Sequence, residues 1–360
     1  MCKSPTRVLE RRSGSPAPPI GSGRGALRLR VLVTGANGFL GRHVVAALER
    51  AGHAVRALVR PESDASGLVA KTGFEILRAD LRVGPDLAAA LADVEVVVHL
   101  AAAMRGSHLD RYTQTTETTE SLLAAMGGSA VRRLVLCSSF SVYDWCAAHG
   151  TVGEELALAA DLDPDNRGYA AAKIRQEQLA RHAARAPGWQ LTILRPGFVW
   201  GPGNPLPAGS TGRNLGRLHL VFSPGRQLPF TYVENCADCF REAVESDRAS
   251  GLALNVIDGF ELTAWRFLAE ALRRGGVRGL RVGVPYGPLL ATVVGVRAVV
   301  RGLFGSKVRL PSLCDPVEFA QGYRPLRYSI RGLRDDLKWR PPLDLDECLR
   351  RTFGTGGSLG

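Results

Sequence analysis

Thr34-Gly35-Ala36-Asn37-Gly38-Phe39-Leu40-Gly41 closes the apolar run 30–34 and opens the helical pattern of 39–51. In a strand, turn and helix context each glycine has its own task. Gly35 permits the tight turn, Gly38 lets the backbone approach a pyrophosphate, and Gly41 lets the helix pack closely on the strand. The helix start through Asn37, Phe39 and Leu40 adds amide donors and a favourable dipole for phosphate. A dinucleotide-binding domain follows from this stretch.

Outward from it, short Val/Leu-rich runs at 30–34, 54–59, 74–79, 94–100, 131–138 and 190–195 alternate with helical patterns near 39–51, 85–92, 109–127 and 168–186. Continuous apolar runs suit parallel strands covered on both faces. The expected architecture is therefore α/β: a Rossmann-type doubly wound parallel sheet over 29–195, with the strand C-termini along one edge. After Arg195 the rhythm breaks. Pro and Gly crowd 196–229, LALNVID at 252–258 reads as a strand, and helices are expected near 261–274, 288–304 and 343–352. Residues 196–352 read as a small irregular substrate-binding lobe with some segments returning to the first domain, and 353–360 as a flexible tail.

The chain of 360 residues is 45% hydrophobic and 22% charged, enough to bury a sizeable core. Seven scattered cysteines, Cys2, Cys137, Cys146, Cys236, Cys239, Cys314 and Cys348, form no disulfide framework, so a cytoplasmic location is expected. Cys236-Ala-Asp-Cys239 lacks a second pair or a His cluster, and no metal is expected. Residues 1–28, rich in Arg, Gly, Ser and Pro, read as a disordered basic leader without the apolar core of a secretory signal.

The net charge of +12 divides into +5 for the leader, −1 for 29–260 and +8 for 261–360. A basic C-terminal surface suits a nucleotide diphosphate or an anionic membrane surface. No nucleic-acid motif accompanies it, so nucleic acid is not an expected partner, and a solvated Arg-rich face is the simpler reading. The apolar stretch 288–304 is interrupted by Arg297 and Arg301, too short and too charged to span a bilayer. A core helix is expected there, with an interfacial helix as the alternative.

The second strand ends at Arg60, where a dinucleotide fold usually places an acid for the ribose hydroxyls of NAD. An arginine pairs instead with a 2′-phosphate, which favours NADP over NAD. Asp80, followed by Leu81 at the end of the third strand, is placed to accept from the adenine amine or to cap the next segment. Tyr169 and Lys173 stand at i and i+4 on one helix face. An ammonium beside a phenol lowers its pKa from about 10 towards operating pH, as a general acid/base needs. Ser139, at the end of the fifth strand, would bond the substrate oxygen whose proton Tyr169 exchanges.

TGANGFLG at 34–41, VVVHLAA at 96–102, SSFSVY at 138–143, YAAAK at 169–173, LRPGFVWGPG at 194–203, TYVEN at 231–235 and LKWRPPLDLDECLRRT at 337–352 together resemble the NAD-dependent epimerase/dehydratase branch of the extended short-chain dehydrogenases. The resemblance covers about 29–352. It implies catalytic roles for Ser139, Tyr169 and Lys173 and a pyrophosphate site at Gly35, Gly38 and Gly41. It further implies a cofactor-lining strand end at Leu100, Ala101 and Ala102, and a nicotinamide border at Pro196. Two departures stand out. Thr115 occupies the family's structural Asn position, and Glu234-Asn235 replaces a pair of acids common in sugar-nucleotide enzymes.

The resemblance implies an epimerase or dehydratase acting on a nucleotide sugar through a transient keto intermediate. The alternative is an NADPH-dependent carbonyl reductase or 3β-hydroxysteroid-dehydrogenase-like enzyme. Arg60 resembles the dihydroflavonol-reductase-like branch, and YVEN with the apolar 288–304 stretch resembles steroid dehydrogenases. A nonenzymatic dinucleotide sensor would be expected to have lost Tyr169 or Lys173, and both are present. Members of this fold commonly pair through two helices, so a homodimer is a further expectation. The substrate-choosing residues lie in the irregular lobe, where no motif names them.

Overall fold

The valine-rich runs of the first half become strands because helices cover both of their faces. The computed structural model describes residues 28–68, 74–82, 85–160, 162–207, 209–274, 279–305, 319 and 322–354. In chain order the first half contains β1 (Arg30–Thr34), α1 (Phe39–Arg50), β2 (Ala54–Val59), β3 (Phe74–Arg78), α2 (Pro85–Ala90) and β4 (Val96–His99). It continues with α3 (His108–Gly127), β5 (Arg133–Cys137), β6 (Thr151–Val152), α4 (Pro164–Ala183) and β7 (Gln190–Pro196). The second half contains β8 (Phe198–Trp200), β9 (Gly212–Leu215), β10 (Leu218–Phe222), β11 (Phe230–Tyr232), α5 (Val233–Glu245) and β12 (Ala253–Val256). α6 (Ala264–Arg274), β13 (Leu280–Val284), α7 (Tyr286–Phe304), β14 (Arg327–Tyr328) and α8 (Leu345–Phe353) follow.

Seven strands form one parallel sheet in the order β12-β7-β5-β4-β1-β2-β3, the Rossmann-type α/β arrangement expected. Strand alternation sorts its two cores. Val31, Val33 and Val98 face α1 and α5 through Val44, Leu48, Cys236 and Phe240. Leu32, Val97 and Leu134 face the other side, against Leu87, Leu122 and Met126. Cys236 and Cys239 are thus core residues of α5. The chain order reverses between β1 and β4, so the crevice beyond their C-termini is the site that the topology offers a ligand.

The C-terminal half does not form a separate sheet-bearing body alone. β12 extends the large sheet beyond β7, and α5 covers its face. Around these, β8 pairs with β11, β10 lies between β9 and β13, and β6 pairs with β14. An aromatic core of Trp200, Phe230, Tyr232 and Phe267 fills this lobe.

The stretch expected as a core helix is α7, and it lies on the surface. Val293 is its one buried residue among those described, while Val294, Val299, Leu303 and Phe304 are exposed. Its sequence is apolar on nearly every side, so it carries no polar face to mark the solvent side. The expected leader, apart from Arg28, and the expected tail beyond Gly354 lie outside the described residues, as do Cys2 and Cys314.

Candidate active site

Gly35 turns the chain out of β1 with φ of +68°, a left-handed conformation costly for other residues. A Cβ there would stand 2.9 Å from the Ala101 nitrogen, so the turn sits directly on the end of β4 beside Leu100 and Ala101. A Cβ on Gly41 would approach the Gly35 oxygen to 2.2 Å, which is why α1 can start so close to the strand. Gly38, exposed, is the residue before α1. No side chain caps it and no acid occupies the first helical turn, leaving Phe39 and Leu40 at an N-terminus open to an anion. These features fit a dinucleotide pyrophosphate. Asn37 is engaged elsewhere, its Nδ2 donating to the Asp64 carbonyl at 3.4 Å.

Around the adenosine end of that cradle, Arg60 is exposed at the end of β2. Asp80 caps the segment that follows it. Its Oδ1 accepts from the Arg82 amide at 3.0 Å and its Oδ2 from the Arg82 guanidinium at 2.7 Å, which holds the carboxyl below its usual range. Leu81 is buried, Ala102 is half-buried at the end of the β4 edge, and Pro196 is buried at the end of β7.

Asp163 caps α4 by accepting from the Asp165 amide, and Pro164 begins the helix, so it starts before the expected 168. Arg167 breaks the helical dihedrals (φ −135°, ψ 38°) two residues before Tyr169. Gly168 follows because a Cβ there would stand 1.7 Å from the His108 carbonyl oxygen. This contact presses α4 against the start of α3 and sets the height of Tyr169.

Ser139 meets that tyrosine from the β5 side. Its hydroxyl lies near enough to the Tyr169 phenol to lower its pKa, and its Oγ accepts from the Ser141 amide at 3.1 Å. Lys173 is buried and donates from Nζ to the Cys137 carbonyl at 2.7 Å, with Nζ 5.9 Å from the Tyr169 ring centroid. Contrary to the expectation of a lowered value, burial pushes the Tyr169 phenol up to about 12, helped by the nearby Cys137 and opposed by the Ser139 hydroxyl. Desolvation also lowers Lys173. The Lys173 charge is spent on a carbonyl rather than on the phenol, and Tyr169 is a protonated acid at neutral pH.

Beneath this pair lie two buried polar networks. His99, at the end of β4, bonds Thr34 Oγ1 at 2.7 Å and Thr119 Oγ1 at 3.1 Å. Gln176 of α4 donates to the same Thr119 at 2.6 Å. Burial lowers His99 to about 3, so it is neutral. Thr115, in the expected Asn position, accepts from the Ala103 amide at 2.9 Å and pins the loop after β4. In the second network Arg195 donates from Nε and NH2 to Glu177 at 2.8 and 2.7 Å, and Ser138 donates to the same carboxylate at 2.6 Å. Arg195 also donates to Tyr143, whose hydroxyl donates to Asn255 on β12.

Ser139 and Tyr169 open into a cavity of about 660 Å³. Its walls include Phe140, Trp145, Phe198, Phe319 and Tyr323, with Arg111, Arg167 and Arg213 also in the lining. No Asp or Glu lines it among the described residues. The Arg111 Nε is buried without a hydrogen-bond partner. None of these arginines was marked in the sequence, nor were Trp145, Phe319 and Tyr323. Phe140 and Phe198 carried a signal, as members of SSFSVY and LRPGFVWGPG.

The NAD dependent epimerase/dehydratase family model matches residues 31–256. Among curated relatives, a 3beta-hydroxysteroid-dehydrogenase/decarboxylase (isoform 2) of Arabidopsis thaliana is 26% identical over 91% of this chain, which spans 62% of that relative's length. A 2-alkyl-3-oxoalkanoate reductase of Stenotrophomonas maltophilia is 26% identical over 90% of this chain and 98% of its own. A solved UDP-glucose-4-epimerase from Stenotrophomonas maltophila, with bound NAD and formylated UDP-arabinopyranose, superposes with a TM-score of 0.68. It is 22% identical and covers 91% of this chain and 97% of its own, a likeness of fold. With the glycine turn, the Ser139, Tyr169 and Lys173 cluster and the family match over most of its length, the chain belongs to the NAD-dependent epimerase/dehydratase family and is an oxidoreductase of the extended short-chain dehydrogenase type.

Proposed function

We propose that this enzyme interconverts a ketone and a secondary alcohol on a substrate with an apolar body and an anionic group, with NADP(H) as the hydride partner. The observation that carries the reading is the cavity wall. Aromatic side chains line the cavity that Ser139 and Tyr169 share, together with three arginines and no acid among the described lining residues. The hydroxysteroid enzyme among the relatives supports an apolar body, and the oxoalkanoate reductase a carbonyl substrate that carries a carboxylate.

In this mechanism Ser139 and Tyr169 both address the substrate oxygen. Gly35, Gly38 and Gly41 with the start of α1 hold the pyrophosphate, and Arg60 holds a 2′-phosphate. When bound, the nicotinamide supplies or accepts hydride. Tyr169, protonated at neutral pH, gives its proton to the oxygen as a carbonyl becomes an alcohol, and Ser139 stabilises the negative charge that develops there. The Phe140 and Trp145 walls exclude water, which strengthens both contacts.

A second reading, an epimerase or dehydratase acting on a nucleotide sugar, is favoured by Arg111, Arg167 and Arg213, which also suit a diphosphate. The two differ in their cofactor cycle, because an epimerase returns its hydride whereas a reductase consumes NADPH stoichiometrically. The test follows reduced-nicotinamide absorbance while the enzyme is offered 3-oxo acids, ketosteroids, and uridine- and thymidine-diphosphate sugars. Steady NADPH consumption with a carbonyl substrate is expected. Conversion of a nucleotide sugar without net cofactor change overturns the first reading in favour of the second.

A further inference from the structure

We propose that α7 is a docking surface for an anionic lipid bilayer, lying in the plane of the membrane interface beside the catalytic cavity. The inner stripe of the helix, Tyr286, Leu289, Leu290 and Val293, packs on Phe222, Phe319 and Tyr323. Beyond Val293 the second half of the helix leaves the lobe, and Val294, Val296, Val299, Leu303 and Phe304 stand at 53%, 45%, 60%, 72% and 68% exposure. Scattered exposed apolar residues are ordinary, but five large ones within eleven residues of one helix make a patch that marks a binding surface.

Charge decides the occupant. From Ala271 to Cys314 the chain has eight Lys and Arg residues and no Asp or Glu; Arg273 and Arg274 pair with Glu270, and the segment stays net positive, as suits anionic headgroups. β13, which leads into the helix, adds exposed Leu280 and Val282 on either side of Arg281.

The helix is 19 residues long, or about 28 Å at the usual rise, close to the thickness of a hydrocarbon core. Its seating argues against crossing. The inner stripe lies on the lobe, and Phe319, after the helix, stacks on Tyr286 at its start, with ring centroids 5.7 Å apart. The chain therefore returns to the face it left. The helix thus rests at the headgroup boundary with its exposed second half against the bilayer.

The location has a consequence for the cavity. Phe319 and Tyr323 belong both to the cluster beneath α7 and to the cavity wall. Docking would bring that wall to the membrane surface, where an apolar substrate is concentrated. This consequence rests on the apolar-substrate reading, whereas docking does not.

Flotation of the full chain with vesicles tests it. The protein is expected to float with phosphatidylcholine vesicles containing phosphatidylglycerol, to float less at high salt, and to stay in solution with phosphatidylcholine alone. Val299→Glu with Leu303→Glu replaces side chains that are already exposed. It is expected to lower vesicle partition about tenfold or more while NADPH binding is unchanged. Arg301→Glu is expected to weaken binding to the anionic vesicles alone. Failure of the parent chain to float with anionic vesicles overturns the proposal. So does sedimentation as a dimer that the double Glu variant converts to monomer, because a second copy would then own this face. Flotation with no activity on any apolar carbonyl would overturn the proposed function and leave docking standing.

Discussion

Lys173 spends its ammonium on the carbonyl oxygen of Cys137, 2.7 Å away, and so ties α4 to the end of the strand that presents Ser139. The phenol it was expected to acidify is instead raised to about 12 by burial. Reduction, which uses the protonated phenol, should have a rate independent of Tyr169 ionisation from neutrality to well above pH 9. Oxidation needs the phenolate and should climb with pH across that range without a plateau. Initial rates in both directions against pH check this, and an oxidation plateau near neutrality would show a phenol already ionised there.

Tyr169→Phe removes the proton while keeping the ring. Turnover is expected to fall by at least ~10²-fold with cofactor binding near normal. Stopped-flow or steady-state kinetics beside cofactor titration separate the two effects. Near-parental turnover would take Tyr169 out of the mechanism.

Arg60 is exposed at the end of β2, free in geometry to meet a 2′-phosphate through two donors. Calorimetry should find NADPH bound more tightly than NADH, and Arg60→Ala should narrow the gap. An unchanged preference in the variant would leave Arg60 as a surface residue only.

The Glu177 and Arg195 side chains form a buried pair, 1% and 4% exposed. Glu177→Gln leaves a guanidinium buried without its counter-charge, and a loss of roughly 3–5 kcal/mol of stability is expected. Glu177→Leu combined with Arg195→Met should cost less than Glu177→Leu alone, because the orphan charge is gone. Urea denaturation of the set measures the coupling, and strict additivity would argue against it.

Two buried groups give stability opposite slopes with pH. Burial raises Asp258 to about 7 from 3.8, against bonds from Tyr232, Asn235 and Thr231. The folded chain keeps this proton where the unfolded chain loses it, so its contribution is full below about pH 4 and lost as pH rises through 7. His99, lowered from 6.5 to about 3 by burial, contributes fully above 6.5 and loses that contribution as pH falls towards 3. The slopes oppose each other between about pH 4 and 6.5. Asp258→Asn, which mimics the neutral acid, should therefore gain about 1.4 kcal/mol per pH unit relative to the parent over pH 4–7. Denaturation midpoints at several pH values read this directly, and a constant difference would mean that Asp258 is already ionised in the fold.

The glycine turn at 34–41, the apolar runs that became β1, β2, β4, β5 and β7, and the i, i+4 pair Tyr169 and Lys173 were all legible in the chain read alone. Each is written in spacing between near neighbours: turn chemistry, strand runs and helical periodicity act over a few residues. Packing between distant segments decided the rest. Arg111, Arg167, Arg213, Phe319 and Tyr323 reach one cavity from four parts of the chain, and nothing local marks any of them. Lys173 found a carbonyl rather than a phenol, and Tyr169 was raised rather than lowered, because desolvation depends on what the whole fold places around a group. The outward face of α7 was equally hidden, since a segment apolar on almost every side has no periodicity to say which side is covered. Burial is a property of the assembled chain, and only the tertiary structure could assign it.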